Sequence, residues 1–545
     1  MFIPSKVKIK KQHTIKVTKM KKVISIHLFF TLLLVGFTSQ AQTIDDGIQM
    51  VKYERFESAK NILTPLAATD AKANYYLGLC ELANDNTMGA KALFQKYPDD
   101  AANLAGMARV FFNENKAPEA MSMLTKVASK AKKKDWSPFK YAADAITYSE
   151  GGDPNVAIDW YKKAMEITKN GDLYIGSGDA YRKIQGGGGN AMTNYEYAEG
   201  YSETQSLANQ KMGNLWYAAK NYDSALAKYA RASQLDVKNP LPFKALADAY
   251  YRIAKYKISK ENIEKYLELS DKTTDDQIQY ANTLYLAKEY TPAINKMTEL
   301  ISKGIEKPYM YRIIGYSQYE TKDYTNALMN MDKFFAKQDP KKVIPSDYTY
   351  YGKILLTDTS KASQASSYFQ KGIDMDTTKD KAPLHREIAE SFKDAQKYAT
   401  AAEWYKKTLN LNTASVEPLD YWWSGVMYFY AKDYTNAEPM LKTMSEKYPN
   451  EPSSYYWLGR VITSSKDKEY KNGMATNYFT QWLGMVKADD PAKKNDLIKA
   501  YTYLAMVAYN NSKKDEAIQF SNKLTTLDPN DNTAKQIMKA VGTMK

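Results

Sequence analysis

Apolar residues recur along this chain at i, i+3, i+4 and i+7, the spacing of one helix face, and the helical pattern itself recurs in blocks. The stretch Pro308 to Phe335 shows one block whole. With Pro308 as position one, Tyr311 stands at four, Ile314-Gly315 at seven and eight, and Tyr319 at twelve. Tyr324 follows at seventeen, Ala327 at twenty, Met331 at twenty-four and Phe334 at twenty-seven. This predicts a helix, a tight turn and a second helix, with small residues where the two helices touch. Large residues at four, seven, eleven and twenty-four are expected to fill the gap between neighbouring blocks.

Blocks starting at Thr274 and Pro308 lie 34 residues apart, as do those starting at Pro418 and Pro452. The Thr274 block carries Tyr280-Ala281, Tyr290, Ala293 and Leu300; the Pro418 block carries Tyr421, Ser424-Gly425, Tyr428, Tyr434 and Ala437. Further copies begin near Ala71, Ala101, Pro138, Gly171, Ser206, Pro345, Ala382 and Ile498, with a weak one from about Thr43 to Ala68. A copy at Pro240 is degenerate, because Ser259 replaces the alanine at position twenty.

A 34-residue helix-turn-helix period with small residues at eight and twenty resembles the tetratricopeptide-repeat (TPR) family. The resemblance implies an all-α, right-handed superhelical solenoid of about fourteen hairpins over residues 42–530, with a bend expected near 255–275. Asp531 to Met544, within the terminal segment 531–545, reads as a capping helix that covers the last apolar face. The connections Lys466 to Asn472 and Lys487 to Asn495 are the expected soft points.

The first forty-one residues read as an address rather than as fold. Val23 to Phe37 is apolar, Lys21-Lys22 precede it and Ser39-Gln40-Ala41 follow it, the layout of a secretory signal peptide with Met20 as its start. The leader has no cysteine at its cleavage site, so a lipid-anchored form is not expected. No transmembrane segment is expected in the mature chain, and peripheral membrane association would come through a partner. The expected location, after export, is the periplasm of a Gram-negative-type cell or an association with its outer membrane through partners.

Removing the leader changes the charge balance. Residues 1–41 hold eight lysines and no other ionic side chain, so the remaining chain carries +6 of the formal +14. That is a mixed-sign solvated surface, not a nucleic-acid face. Cys80 is the only cysteine and His385 the only histidine of the mature chain, so neither an internal disulfide nor a Cys/His zinc site is available. Both are expected to pack in the interior. Gly186 to Gly189 with Asn190-Ala191 spells GxGxxA, but it falls between paired helices rather than after a strand and is read as a widened turn. No cofactor is expected.

What remains as candidate chemistry is the surface. The resemblance implies that positions two, five, nine and twelve of each first helix line a concave face. These are Tyr309, Arg312, Tyr316 and Tyr319 in one unit, and Leu419, Trp422, Val426 and Phe429 in another. Tyr456, Arg460 and Thr463 follow in the next, and Arg386, Glu390 and Lys393 in the unit at Ala382. Trp, Tyr and Arg are frequent binding anchors. A carboxylate clamp is not expected, because Gln210 and Ile278 stand at position five beside Asn214 and Asn282 at nine. The expectation is a non-catalytic scaffold for other envelope proteins, holding a peptide segment or partner helix, in outer-membrane biogenesis or secretion. Glycan or peptidoglycan capture by aromatic rings is the alternative, and an enzyme using paired carboxylates is a minor one.

Overall fold

A computed structural model describes residues 42–411 and 414–542. The expected leader, residues 1–41, lies outside them. Among the described residues the chain forms twenty-nine α-helices, two short 3-10 turns and no strand. It divides into two compact units, one ending at Thr283 and the other starting at Leu284.

The first unit holds seven hairpins, from Ile44–Lys52 with Phe56–Leu63 to Leu241–Arg252 with Tyr256–Leu269. The second holds six complete hairpins, from Pro308–Glu320 with Tyr324–Lys337 to Lys494–Asn510 with Lys514–Leu527. The helix Asn532–Val541 then packs on that last pair and buries Ala534, Ile537 and Val541. Its start is fixed by Asp531, whose carboxylate accepts from Ala534 N at 2.8 Å.

Many of the hairpins close on one steric rule. Position eight is small because the side chain at position twenty-four of the second helix lies directly upon it. A Cβ added to Gly78 would stand 2.3 Å from Phe94, and one added to Gly213 would stand 2.5 Å from Tyr229. The same holds for Gly315 under Met331 and Gly425 under Leu441, and Phe369 covers Gly352 in the same way from position twenty-five. Phe94 also presses on Gly106, and Tyr161 on Gly176, both in the following hairpin. So the residue at twenty-four fills its own hairpin as well as the gap beyond it, where only the gap was expected. At position twenty, Ala90, Ala120, Ala157, Ala225, Ala293, Ala327, Ala401, Ala437 and Ala517 are all fully buried. Ser259 takes the same slot in the degenerate unit, and its hydroxyl donates to the Ala247 carbonyl at 2.8 Å. The replacement keeps the contact and satisfies the added polar group.

The turn between helices is equally regular. Position fifteen is left-handed in nine copies, with φ from 56° to 65° at Asp85, Asn115, Lys220, Ala254, Lys288, Lys322, Gln396, Lys432 and Ser512. The amides that follow bond back to the first helix, as Asp323 N does to Gln318 O at 2.8 Å. Gly186 (φ 78°) supplies that conformation in the widened glycine turn.

The first unit is also tied across long sequence distances. Asp271, in the loop after the seventh hairpin, accepts from the backbone amides of Glu57 and Ser58 at 2.9 and 3.2 Å and from Ser58 Oγ at 2.5 Å. It thereby caps the helix Phe56–Leu63, whose own N-cap residue, Arg55, makes no side-chain cap bond. Arg55 Nε donates to the same carboxylate at 3.3 Å, and Tyr53 Oη donates to Asp236 at 2.7 Å.

One expected soft point is firmly held. In the connection Lys466 to Asn472, Asp467 is buried and its carboxylate accepts from Lys471 N, Asn472 N, Met474 N and Tyr503 Oη at 2.6 to 3.1 Å. Burial raises the cost of its charge, but the Tyr503 and backbone hydrogen bonds outweigh that and hold the carboxyl below its ordinary 3.8. The other connection, Lys487 to Asn495, is shortened by a 3-10 turn at Pro491–Lys493 and by the start of the next helix at Lys494.

Two outcomes follow from this packing. Gly352→Ala gains about 1 kcal/mol of helix propensity but loses about 1–3 kcal/mol to overpacking against Phe369, so its urea midpoint falls. Phe369→Leu in the same chain recovers part of the loss, which a double-mutant cycle measures. For Asp467, a depressed folded pKa means stabilisation present above about pH 3.9 and lost as pH falls through the folded value. Asp467→Asn is therefore less stable at pH 7 by about 1–3 kcal/mol, and its difference from the parent shrinks below pH 4 in urea titrations.

Candidate functional site

The first helices of the second unit position the residues expected to line a binding face. The structure puts most of them into contacts between hairpins. Arg312 donates from Nη2 to Asp347 Oδ2 at 2.9 Å and to the Lys342 carbonyl at 3.0 Å, and its guanidinium lies 4.7 Å from the Phe334 ring centre. Tyr316 is buried; its hydroxyl donates to Asp347 Oδ1 at 2.7 Å, and its ring stacks on Tyr350 at 3.8 Å. Burial pushes the Tyr316 phenol well up, and the Asp347 charge adds to that. Tyr309 is half-buried.

The pairing of Arg312 has a counterpart in other hairpins. Arg386 forms a fork on Asp420, with Nε and Nη2 both at 2.7 Å from the carboxylate oxygens. Lys244, in the first unit, donates to Asp276 at 3.0 Å. In each case a cation at position five of one first helix reaches the aspartate at position three of the next. The aspartates are buried, and Asp347 and Asp420 also take the backbone amides of Ile344 and Glu417, the residues just before their helices. One carboxylate thus starts a helix and fastens the previous hairpin to it. Arg312 and Arg386 are therefore structural clamps, not free groove cations.

A second cluster gathers around Trp457. Phe429 and Tyr456 are buried, against the expectation that they face solvent. The Phe429 ring meets Trp457 at 5.2 Å, and Tyr456 meets Trp482 at 4.9 Å and donates to Asp496 at 2.5 Å. Arg460 lies over Phe429, Tyr456 and Trp457 at 5.1 to 5.8 Å and donates from Nη1 to Tyr456 Oη at 3.1 Å. Trp422 is half-buried between Trp423 and Trp457 at 4.5 and 6.5 Å. The residues left open are Leu419 and Tyr430, each at least half exposed, at the two ends of the same helix. Tyr430 packs edge-on to Trp457 at 5.8 Å, so the open patch is continuous with the cluster beneath it.

Tyr319 lies elsewhere. With Tyr324, Lys353, Leu356, Glu387, Glu390 and Asp394 it lines a cavity of about 430 Å³ across three consecutive hairpins. Burial pushes its phenol up to about 12, with Tyr324 and the nearby carboxylates acting in the same sense.

The other residues singled out by type are packed inside. His385 is buried edge-on to Trp404 at 5.6 Å; burial, and then Lys407 and Lys381, push its pKa down, which keeps it neutral at pH 7. Cys80 is fully buried, and burial pushes its thiol up to about 12. Among the described residues no group of three or more His, Cys, Asp or Glu is placed to hold a metal ion, and no helix is long and apolar enough to cross a membrane. Sequence reasoning missed Asp347 and Asp420 as partners and Tyr430 as an exposed ring. A signal existed for the aspartates: a cation at position five recurs about 34 residues before an acid at position three.

The hairpin register decides the fold. First helices run from position one to thirteen and second helices from seventeen to about thirty, as in Pro308–Glu320 with Tyr324–Lys337 and Pro418–Tyr430 with Tyr434–Lys447. The chain is an all-α array of helical hairpins, and its register is similar to that of tetratricopeptide repeats. No family model matches it. It is similar to the solved C-terminal part of a TPR repeat-containing protein from Cytophaga hutchinsonii, 26% identical over 48% of this chain and 98% of that one, with a TM-score of 0.41. It is also similar to a tetratricopeptide repeat protein from Parabacteroides merdae, 18% identical over 48% and 98% of the two chains, with a TM-score of 0.30. A third, YrrB, is described as a TPR protein with an unusual peptide-binding site; it is 15% identical over 40% of this chain and 97% of that one, with a TM-score of 0.27.

The clamp between repeats makes Arg386→Ala costly. It strands the Asp420 carboxylate, and because the guanidinium is partly solvated the loss is about 2–4 kcal/mol rather than the full penalty of a buried pair. Arg386→Lys restores the charge but not the fork and recovers only part of it. Chemical unfolding of the two variants gives the ranking.

Proposed function

We propose that the chain is a non-catalytic, protein-binding scaffold, exported to the cell envelope, that holds a segment of another envelope protein against its first-helix face. The observation that carries the reading is the open patch on the helix Pro418–Tyr430. Leu419 and Tyr430 are exposed at its ends, Trp422 is half-buried between them, and the aromatic layer below is already packed. An apolar patch over a rigid layer offers area to a partner without the entropy cost of ordering it. An extended peptide or an amphipathic helix fits such a surface. The basic leader with its apolar core supports export. Outer-membrane biogenesis and secretion are the settings that suit an exported scaffold of this kind.

Leu419→Ser with Trp422→Ala weakens capture of envelope proteins in pull-downs at least ten-fold and leaves far-ultraviolet circular dichroism unchanged. Phe429→Ala behaves differently, because it empties a buried site and lowers stability by about 3–5 kcal/mol. Undiminished capture by the first variant, or retention on peptidoglycan after all protein is stripped away, overturns the reading; the second result supports glycan capture instead.

A further inference from the structure

The cavity that Tyr319 lines has a chemistry of its own. It spans the hairpins that begin at Pro308, Pro345 and Ala382. One wall is aromatic and apolar: Tyr319, Tyr324 and Leu356, with Tyr350 edge-on to Tyr319 at 5.7 Å. The facing wall is the helix Ala382–Asp394, which presents Glu387, Glu390 and Asp394 on adjacent turns. The cations at this wall are largely engaged. Lys353 donates to Glu387 at 2.6 Å and lies 5.3 Å from the Tyr350 ring centre. Lys393 sits over the Trp423 ring at 4.4 Å and only reaches Asp394 at 4.0 Å. Glu390 is exposed, with no hydrogen-bond or ion-pair partner among the described residues. With one lysine set against three carboxylates in the lining, the cavity is net negative on a chain that is basic overall.

A second observation falls on Tyr398–Leu409, the helix paired with that wall. The Tyr405 hydroxyl is buried, at 1% exposure for the residue, and has no partner. In two other hairpins the tyrosine that packs on the small position-eight residue donates a hydrogen bond to the side chain at position nine. Tyr195 donates to Asp179 at 2.7 Å, and Tyr229 donates to Asn214 at 2.8 Å. Position nine in the Tyr405 hairpin is Glu390, which is turned instead to the open cavity. The arrangement leaves the Tyr405 donor unpaired and the Glu390 carboxylate free to take a partner from the cavity.

We infer that this cavity receives the lysine or arginine side chain of a basic peptide segment, its alkyl stem against Tyr319, Tyr324 and Leu356 and its charged head on Glu390 and Asp394. Aromatic faces and carboxylates both attract a cation, and together they favour it over a neutral or acidic side chain. The inference rests on the scaffold reading and specifies one kind of segment that the scaffold holds. It places the cationic contact at a different point of the second unit from the Leu419–Tyr430 patch.

The test uses the full mature chain and a fluorescein-labelled decapeptide of alternating alanine and arginine, followed by anisotropy in low salt. The peptide binds, and its affinity falls with added salt. Glu390→Lys with Asp394→Lys weakens binding at least ten-fold with unchanged circular dichroism, since both side chains are exposed. Glu390→Gln weakens it about three- to ten-fold, whereas Asp275→Lys, an exposed reversal in the first unit, leaves it unaltered. Equal binding by the doubly reversed variant, equal binding of an alternating alanine–glutamate peptide, or no binding by the parent overturns the inference. If the parent ignores the cationic peptide while the Leu419/Trp422 variant still loses its envelope partners, the scaffold reading stands without this site. If neither set of substitutions changes partner capture, both fall.

Discussion

The whole array depends on a large side chain resting on a residue that has almost none. Phe94 over Gly78, Tyr229 over Gly213 and Phe369 over Gly352 set the distance between the helices of a hairpin, and the alanines at position twenty hold that distance along its length. Because the interior is close-packed, this contact leaves little freedom for the next hairpin, whose own small residues receive the far side of the same ring. Phe94 against Gly106 shows the hand-over. Steric fit within a repeat therefore also sets the step between repeats.

Polar groups then fasten what the apolar contacts align. The buried aspartates at position three would be expensive if left alone. They are held by a cation, by a backbone amide at the start of their own helix and, at Asp347, by the Tyr316 hydroxyl. This use of charge takes Lys244, Arg312 and Arg386 out of the free surface of their first helices. The free ones are correspondingly informative: Glu390 is exposed and unpaired where comparable positions are occupied.

The sequence makes the repeat legible because packing within a hairpin depends on residues a fixed distance apart. Gly315, Ala327 and Met331 lie where their spacing puts them, and Ser259 fills the alanine slot it replaces. The candidate face was less legible. Whether Tyr316 or Phe429 meets solvent is decided by residues one repeat away, Tyr350 and Trp457. Position numbers within one repeat do not contain those partners. The same holds for Arg312 and Arg386, which read as groove cations until the aspartate of the following repeat is set beside them.

Asp271 reaches back over more than two hundred residues to begin a helix near Glu57. A linear array gains stability step by step from nearest neighbours, so its end repeats fray first and its folding can start anywhere. A bond from the seventh hairpin to the first removes that independence in the first unit. The opening hairpin is then no longer a free end but is completed only when the seventh is in place, and loop-closure entropy must be met before the contact forms. Such a unit folds more slowly than its local helices do and unravels less readily from its amino-terminal side.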